Sequence, residues 1–395
     1  MRILFLTPQL PYPPHQGTTL RNFGLIAGLT QRGHAITLLS FREEGQPSPA
    51  DTPLVDLCEQ VLTVPAPHRR FIQRVAALLR GKADLIDRLA SDVMNRTLSD
   101  LLNRETFDFI QIEGLEIAAV MNVIGTDVVI YDAHNAEHAL QRRIAAEGGP
   151  VRRIYSSIQA RRLAQAERSM MRAAALTFAC STADAALLKE LAPNRSVAVV
   201  PNAIHTAEYT PDGPTADLPQ PAIVFTGKMD FRPNIDAARW FADAILPRIH
   251  ERMPEVHFVI VGQRPAPSVQ HLAEHPHITV TGRVPTIQPY IRAAAVYVAP
   301  LRMGSGTRFK LLETMAVERP VVSTTLGAEG LAVADGVHMR LADAEDDFAS
   351  AVVDLLRSPQ ERQQLTANAR ELVRSRYDWE AVIPIVEDAY SALRG

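Results

Sequence analysis

The stretch Val296-Tyr-Val-Ala-Pro-Leu-Arg-Met-Gly304-Ser305-Gly306-Thr307-Arg308-Phe309-Lys310-Leu-Leu-Glu313-Thr-Met-Ala316 decides how this chain is read. An apolar strand pattern ends at Pro300, a glycine-rich turn follows over Gly304–Thr307, and a helical period begins near Arg308. Free amides at a helix N-terminus, approached closely because glycine carries no side chain, form an anion site. Arg308 and Lys310 set two cations at its mouth, which suits a diphosphate. Glu313 follows about a turn and a half later, where a carboxylate can accept both hydroxyls of a ribose. A plain strand-to-helix turn with solvated cations is the alternative, and the convergence of Gly, Gly, Arg, Lys and Glu argues against it. The dinucleotide fingerprint does not fit, because Phe309 stands where its third glycine belongs and the loop lies late in the chain.

Outward from this segment the chain alternates short apolar runs with stretches of helical period, the pattern of parallel sheets covered by helices on both faces. In the first half, strands are expected at Arg2–Thr7, Ala35–Phe41, Gln60–Val64, Phe107–Ile112, Val128–Asp132, Leu176–Cys180 and Val197–Val200. Helices are expected at Thr18–Arg32, Phe71–Asn103, Ala136–Ala174 and Thr182–Leu191. Tyr209–Gln220 shifts to Pro, Asp, Gly and Thr, which is linker chemistry. The alternation then restarts: strand Ala222–Thr226, helix Asn234–Arg252, strand Val256–Val261, helix Pro267–Ala273, strand Ile278–Thr281, helix Ile287–Ala294, strand Val296–Pro300, helix Arg308–Val317 and strand Pro320–Ser323. From Asp343 the pattern is nearly all helical. Two α/β domains, doubly wound and facing a cleft, are the expected product, with ligands beyond the carboxyl ends of the strands.

Other strand-end loops add candidates. Gly227, Lys228 and Arg232 precede a helix expected near Asn234, a second anion-friendly end that gains meaning beside the 304–310 loop. Gly17 precedes the first helix, expected to be capped by Thr18 or Thr19, and lets backbone approach a ligand. His134, in Ala133-His-Asn-Ala-Glu137, ends a strand where it can hydrogen-bond a sugar or phosphate, while Asn135 and Glu137 serve as helix caps. No HExxH-like or acid cluster at metal-ligand spacing is present, so no metal is expected.

These segments together resemble retaining glycosyltransferases of family 4, which have the GT-B fold. The likeness is closest to the branch with a Gly-x-Gly-Thr-Arg-x-Lys loop, which includes sugar transferases of bacterial exopolysaccharide systems. It also rests on Leu29-Thr-Gln-Arg-Gly-His-Ala-Ile, Asp132-Ala-His-Asn-Ala-Glu, Cys180-Ser-Thr-Ala-Asp, Val200-Pro-Asn-Ala-Ile, Phe225-Thr-Gly-Lys-Met-Asp, Val261-Gly and Val280-Thr-Gly-Arg-Val. The resemblance implies a domain over 1–205 that binds the acceptor, joined by the last helix at about 378–395, and a domain over 206–377 that binds a nucleotide sugar. It implies that Glu313 holds the ribose as the second Glu of a Glu-x7-Glu motif, and that Arg308, Lys310 and Lys228 meet the diphosphate. His134 falls near the sugar, Gly17 in the first-domain glycine loop, and Arg283 and Val284 near the base. His134, Arg308 and Lys310 carry the catalytic roles; Gly227, Arg232, Gly304, Ser305, Gly306 and Thr307 complete the donor set. Ser305 departs from the pattern where the first Glu of the motif belongs, Ala203 replaces a hinge glycine, and Pro233 replaces a cation that Arg232 can supply.

The implied function is transfer of a sugar from a nucleotide-diphosphate sugar to a glycan or lipid-linked saccharide, with retention, without metal and without a cofactor. A nucleotide-sugar 2-epimerase of the same fold and a non-catalytic nucleotide-sugar-binding partner are the alternatives. Composition agrees with the broad class. Balanced charge, 41 basic against 44 acidic residues in 395, argues against a nucleic-acid partner. Cys58 and Cys180 alone exclude a disulfide framework. The apolar start breaks at Pro8 with no Ala-x-Ala-type cleavage site, so a cytoplasmic chain is expected. Arginines crowd residues 142–172, opposed only by Glu147 and Glu167, and recur at Arg69, Arg70, Arg74 and Arg80; with Lys82 they suggest a basic surface for an anionic membrane.

Overall fold

The computed structural model describes residues 1–68, 81–125, 128–146, 149–304, 306 and 308–394. It divides into two compact units, one of Met1–Asn202 with Val382–Gly395, the other of Ala203–Ala381. The first holds seven strands in the order β3-β2-β1-β4-β5-β6-β7, the second six in the order β10-β9-β8-β11-β12-β13. Every pairing between these strands is parallel.

In the first unit the strands are β1 (Arg2–Thr7), β2 (Ala35–Arg42), β3 (Gln60–Pro65), β4 (Phe109–Glu113), β5 (Val129–Ala133), β6 (Leu176–Ala179) and β7 (Val197–Val199). Its principal helices are α1 (Gly17–Gln31), α2 (Asp92–Leu102), α3 (Glu137–Ala146), α4 (Pro150–Ala173) and α5 (Thr182–Leu191). The second unit carries β8 (Ala222–Thr226), β9 (His257–Val261), β10 (Ile278–Val280), β11 (Val296–Ala299), β12 (Val321–Ser323) and β13 (Arg340–Leu341). Its helices include α6 (Arg232–Trp240), α7 (Phe309–Ala316), α8 (Glu345–Arg357) and α9 (Pro359–Arg376); α10 (Trp379–Arg394) ends the chain. Helices on both faces bury the strands, so Ile3, Leu4, Phe5 and Leu6 of β1 are fully inaccessible, as are Ile223, Val224 and Phe225 of β8.

Several expected helices break where the sequence supplies a cause. The long helix expected over 136–174 is described as two, α3 and α4, and α4 opens with Gly149 as its cap and Pro150 at its first position. Within the helix expected over 71–103, residues 71–80 lie outside the described residues. Its remainder divides into a short turn at Asp84–Asp87 and α2, whose cap Ser91 accepts from the Met94 amide. Helix α1 is capped at Gln16 rather than at Thr18 or Thr19; the Gln16 amide donates to Thr19 Oγ1 at 3.1 Å. After α6 the helix widens into a π turn at Phe241–Ile245 before Leu246–His250, since Pro247 has no amide to donate. The two-residue strand β13 was too short to show in the pattern.

From Val382 onward α10 belongs to the first unit. Gly28 makes room for it, because a Cβ there would lie 2.4 Å from Ile383 Cγ1. Tyr390 stacks on Phe109 with centroids 4.9 Å apart, and its hydroxyl donates to Gln111 Oε1 inside the core. His34 and Glu387 add a bond of 2.8 Å. Tyr390→Phe removes the donor and leaves the Gln111 oxygen buried without it. Denaturant unfolding should show a loss of about 1–3 kcal/mol, and an unchanged midpoint would remove this anchor from the account.

Candidate functional site

Strand order reverses between β1 and β4 in the first unit and between β8 and β11 in the second, so the crevices open at the carboxyl ends of those strands. In the second unit the chain leaving β8 at Gly227 meets the chain leaving β9 at Gly262. A Cβ on Gly262 would fall 1.6 Å from the Gly227 carbonyl oxygen, so no other residue lets the two backbones pass. Lys310, in the first turn of α7, reaches under this crossing. Its Nζ donates to the Thr226 carbonyl at 2.6 Å and to Asn234 Oδ1 at 3.1 Å, and sits 4.4 Å from the Phe225 ring centroid. Asn234 in turn donates to the Lys228 carbonyl at 3.0 Å, tying the 227–228 turn to the lysine. Burial and the nearby Arg308 guanidinium lower the Lys310 ammonium to about 7, against the weaker opposing field of Glu313.

Gly304 and Gly306 adopt φ of +103° and +83°, conformations that favour glycine. A Cβ on Gly304 would stand 3.2 Å from Arg308 Nη2 and 3.5 Å from Pro233 Cγ, so the loop lies directly over that guanidinium. Arg308 is the cap of α7, which begins one residue later than expected, at Phe309. Glu313 is buried and accepts from the Tyr209 hydroxyl at 3.2 Å; burial raises its pKa while Tyr209 and Lys310 hold it down. The structure therefore brings Gly227, Gly304, Arg308, Lys310 and Glu313 to neighbouring strand ends. Lys228 is exposed, 3.7 Å from Asp230, and Arg232 is the exposed first residue of α6. Arg283 is exposed after β10, and Val284 is half-buried against the apolar cluster around Tyr297 and Leu311. Ser305 and Thr307 lie outside the described residues.

The first unit holds a buried polar network at the ends of β4 and β5. Arg21 of α1 donates to both Asp132 oxygens through Nε, and its Nη2 donates to Oδ2 at 2.8 Å. Its Nη1 reaches the Val200 carbonyl and Asn202 Oδ1. His134 Nε2 lies 3.0 Å from Glu113 Oε2, and Gln111 Nε2 donates to the other oxygen. With its side-chain amide turned so that nitrogen faces the carboxylate, the assignment its neighbours require, Asn22 donates to Glu113 Oε2 at 2.8 Å. Burial and Asp132 raise the Glu113 pKa. Burial alone would lower that of His134, but Glu113 and Asp132 reverse it and favour the imidazolium. With Nε2 tied to Glu113, His134 has only its Nδ1 edge to offer. Gly114, at φ +88°, keeps that edge clear: a Cβ there would lie 3.4 Å from Nδ1 and 2.3 Å from Glu116 Oε2.

Donor atoms of Glu113, Asp132 and His134 fall within 4.8 Å of one another, a grouping that the one-dimensional spacing hid. Arg21 already holds both Asp132 oxygens and supplies a positive charge at that point. Asn135 Nδ2 donates to Glu137 Oε1 at 3.1 Å, and burial with Glu116 pushes the Glu137 pKa up to about 7. Glu167 does not neutralise the arginines of α4; it is buried and accepts from the Glu137 and His138 amides at the start of α3. Glu147 and Arg69, Arg70, Arg74 and Arg80 lie outside the described residues. Gly17, the first residue of α1, is exposed. Arg21, Glu113, Tyr209 and Asn234 join the site only in the structure. Only Glu113 left a signal: Gln111 and Glu113 are polar positions inside an otherwise apolar strand.

Residues 220–358 match the family model described as glycosyl transferases group 1, and residues 16–203 the glycosyl transferase 4-like domain. A phosphatidyl-myo-inositol mannosyltransferase of Mycolicibacterium smegmatis is 31% identical over 205 residues, 50% of this chain and 52% of that protein. The chain spans about half the length, or less, of the curated relatives it matches. Sucrose-phosphate synthase from Thermosynechococcus elongatus superposes with a TM-score of 0.74 at 15% identity, covering 100% of this chain and 99% of that one. Anabaena HepE, solved with UDP and glucose, gives 0.65 at 14%, covering 99% of each. These likenesses establish the GT-B fold.

An anion that enters the loop beside Lys310 favours its charged form, so binding takes up a proton where the free amine is neutral. Pyrophosphate affinity should therefore fall as pH rises from about 7 to 9. Calorimetry in buffers of different ionisation enthalpy measures the uptake. Lys310→Met should reduce both the uptake and the slope to what pyrophosphate's own ionisation contributes, and the same profile in the unaltered chain and in Lys310→Met would refute the lysine's involvement.

Proposed function

We propose that this chain, which carries both domains of the GT-B glycosyltransferases of family 4, moves a sugar from a nucleoside-diphosphate sugar to an acceptor glycan or lipid-linked saccharide. The observation that carries the reading is Lys310, a half-buried amine against the Gly227 turn and beside Arg308 at the start of α7. Negative charge grows on the leaving diphosphate as the glycosidic bond breaks. Arg308, Lys310 and the amides of the glycine turn stabilise it from fixed positions, so the step needs no metal. Glu313, buried and held by Tyr209, receives the ribose hydroxyls. His134, whose orientation Glu113 sets, offers Nδ1 to a sugar hydroxyl. The resemblance supports retention of anomeric configuration. The mannosyltransferase name of the M. smegmatis relative and the UDP held by HepE support a hexosyl donor carried on a nucleoside diphosphate.

The acceptor side is read as lying near an anionic lipid surface. Arg153, Arg161, Arg168 and Arg172 of α4 are exposed, with Ile154 65% and Ile158 38% exposed beside them. Among the described residues no helix is long and apolar enough to cross a membrane. This reading is of a chain that rests on the surface, on the cytoplasmic side.

Incubation with a panel of nucleotide sugars and measurement of released nucleotide tests the reaction. Turnover to water or acceptor supports it; epimerised sugar without transfer makes the chain an epimerase, and binding without turnover a non-catalytic partner. Arg308→Ala and Lys310→Ala should each weaken donor binding about tenfold or more, while Arg161→Ala leaves it unchanged. Equal effects at all three would sink the diphosphate assignment.

Flotation with liposomes tests the surface separately. Vesicles containing anionic lipid should carry the chain upward, and the combined change Ile158→Asp with Arg161→Glu should release it. Equal flotation on neutral vesicles would remove the membrane reading.

A further inference from the structure

A cavity of about 490 Å³ lies in the second unit at the opposite end of its strands from the glycine turns. It is lined by Pro221, Ala295 and Pro320, the residues that immediately precede β8, β11 and β12. Reaction loops of open α/β sheets lie at carboxyl ends, so a ligand at the amino ends is not the substrate of those loops.

Two arginines face this cavity. Arg319 follows α7 in a turn built by Glu318, whose φ is +56°; the Glu318 amide donates to Met315 and the Arg319 amide to the Thr314 carbonyl, both at 3.1 Å. This hydrogen-bonded turn fixes where the Arg319 side chain starts. Its Nε is buried and makes no hydrogen bond among the described residues, an uncompensated donor of the kind that folded proteins rarely leave. Burial and the neighbouring Arg292 also lower the Arg319 pKa, against Glu318. Arg362 spends Nη1 on the Leu355 and Leu356 carbonyls and brings a second guanidinium to the wall. The one acid in the lining, Glu318, is already paired with Arg370. Met253, Leu356 and Pro359 add apolar surface to the same lining.

We propose that this cavity is a second binding site, for a small phosphate or carboxylate that carries an apolar portion, and that its ligand is an effector. A guanidinium with an unspent buried donor, a second guanidinium and an adjacent apolar wall together match such a ligand, with the anion on Arg319 and the carbon part against Met253 and Leu356. Position supports the effector role: the ligand would contact the turn that ends α7, the helix whose first turn holds Lys310. The site stands on these residues alone and survives whether or not the transferase reading does.

Calorimetric titration with phenyl phosphate and with inorganic phosphate, each with and without saturating UDP, tests it. Phenyl phosphate should bind more tightly than inorganic phosphate, and UDP should not displace it. Arg319→Gln should weaken binding about tenfold, the loss of one charge-assisted contact. Gln363→Glu, an exposed change at the rim that places a like charge there, should weaken it without touching the fold. Lys310→Met should leave it unaltered. Displacement by UDP together with loss in Lys310→Met would assign the phosphate to the glycine turns and overturn the proposal. So would wild-type affinity in both Arg319→Gln and Gln363→Glu, or the absence of saturable binding.

Discussion

A charge buried at a strand end must be balanced by the fold or by something the fold receives. The two units of this chain answer that constraint differently. Beside β5, Arg21 and Asp132 are both inaccessible and grip each other through three nitrogen–oxygen contacts. That pair is closed, and removing one partner would strand the other at a cost of several kcal/mol. Beside β8, the Lys310 hydrogen bonds go to a carbonyl and an amide, with an aromatic face beneath. Those acceptors orient the amine without cancelling its charge, while the Arg308 guanidinium disfavours the ammonium and Glu313 favours it. The lowered pKa is the cost of that arrangement.

The glycines follow from the same constraint. A buried amine can touch a ligand near the Gly227 turn only where backbone comes close, and backbone comes close only where no Cβ intervenes. Gly227, Gly262 and Gly304 each stand where a methyl would strike Asn234, a carbonyl oxygen or the Arg308 guanidinium. Gly227 and Gly304 are legible in the sequence as loop glycines suited to anions. That Gly262 and Gly227 face each other is not, because contact between the ends of β8 and β9 is a property of strand order, not of either segment.

What could be read in advance, and what could not, divides along that line. Alternating apolar runs, turn residues and one glycine-rich loop are enough for two parallel-sheet domains; Arg308, Lys310 and Glu313 could be nominated together because all three lie within one segment. Proline and glycine mark where a new helix opens within a single long helical pattern. Arg21, Glu113 and Asp132 were hidden because they come from α1, β4 and β5 and meet only in space. Asn234 was read as a helix start, and its job as the bridge between Lys228 and Lys310 depends on α7 being placed beside α6. Glu167 was read as a counter-charge to the arginines of its helix, yet its carboxylate points inward to the α3 amides. Sign and spacing alone cannot say which way a helical side chain faces.

That last point changes the meaning of the near-zero net charge. If Glu167 is spent on a helix end, one acid that balances the arithmetic is unavailable to the surface of its own helix, whereas Asp132 and Arg21 cancel each other inside the fold. The exposed arginines of α4 then face solvent with less opposition than the composition implies, while Lys310 turns its charge inward in the other unit. A total of -3 is compatible with both because it sums charges that never act at the same place. What an anion experiences is the local excess, and in this chain each local excess lies where the backbone, a helix face or an unspent guanidinium leaves room for one.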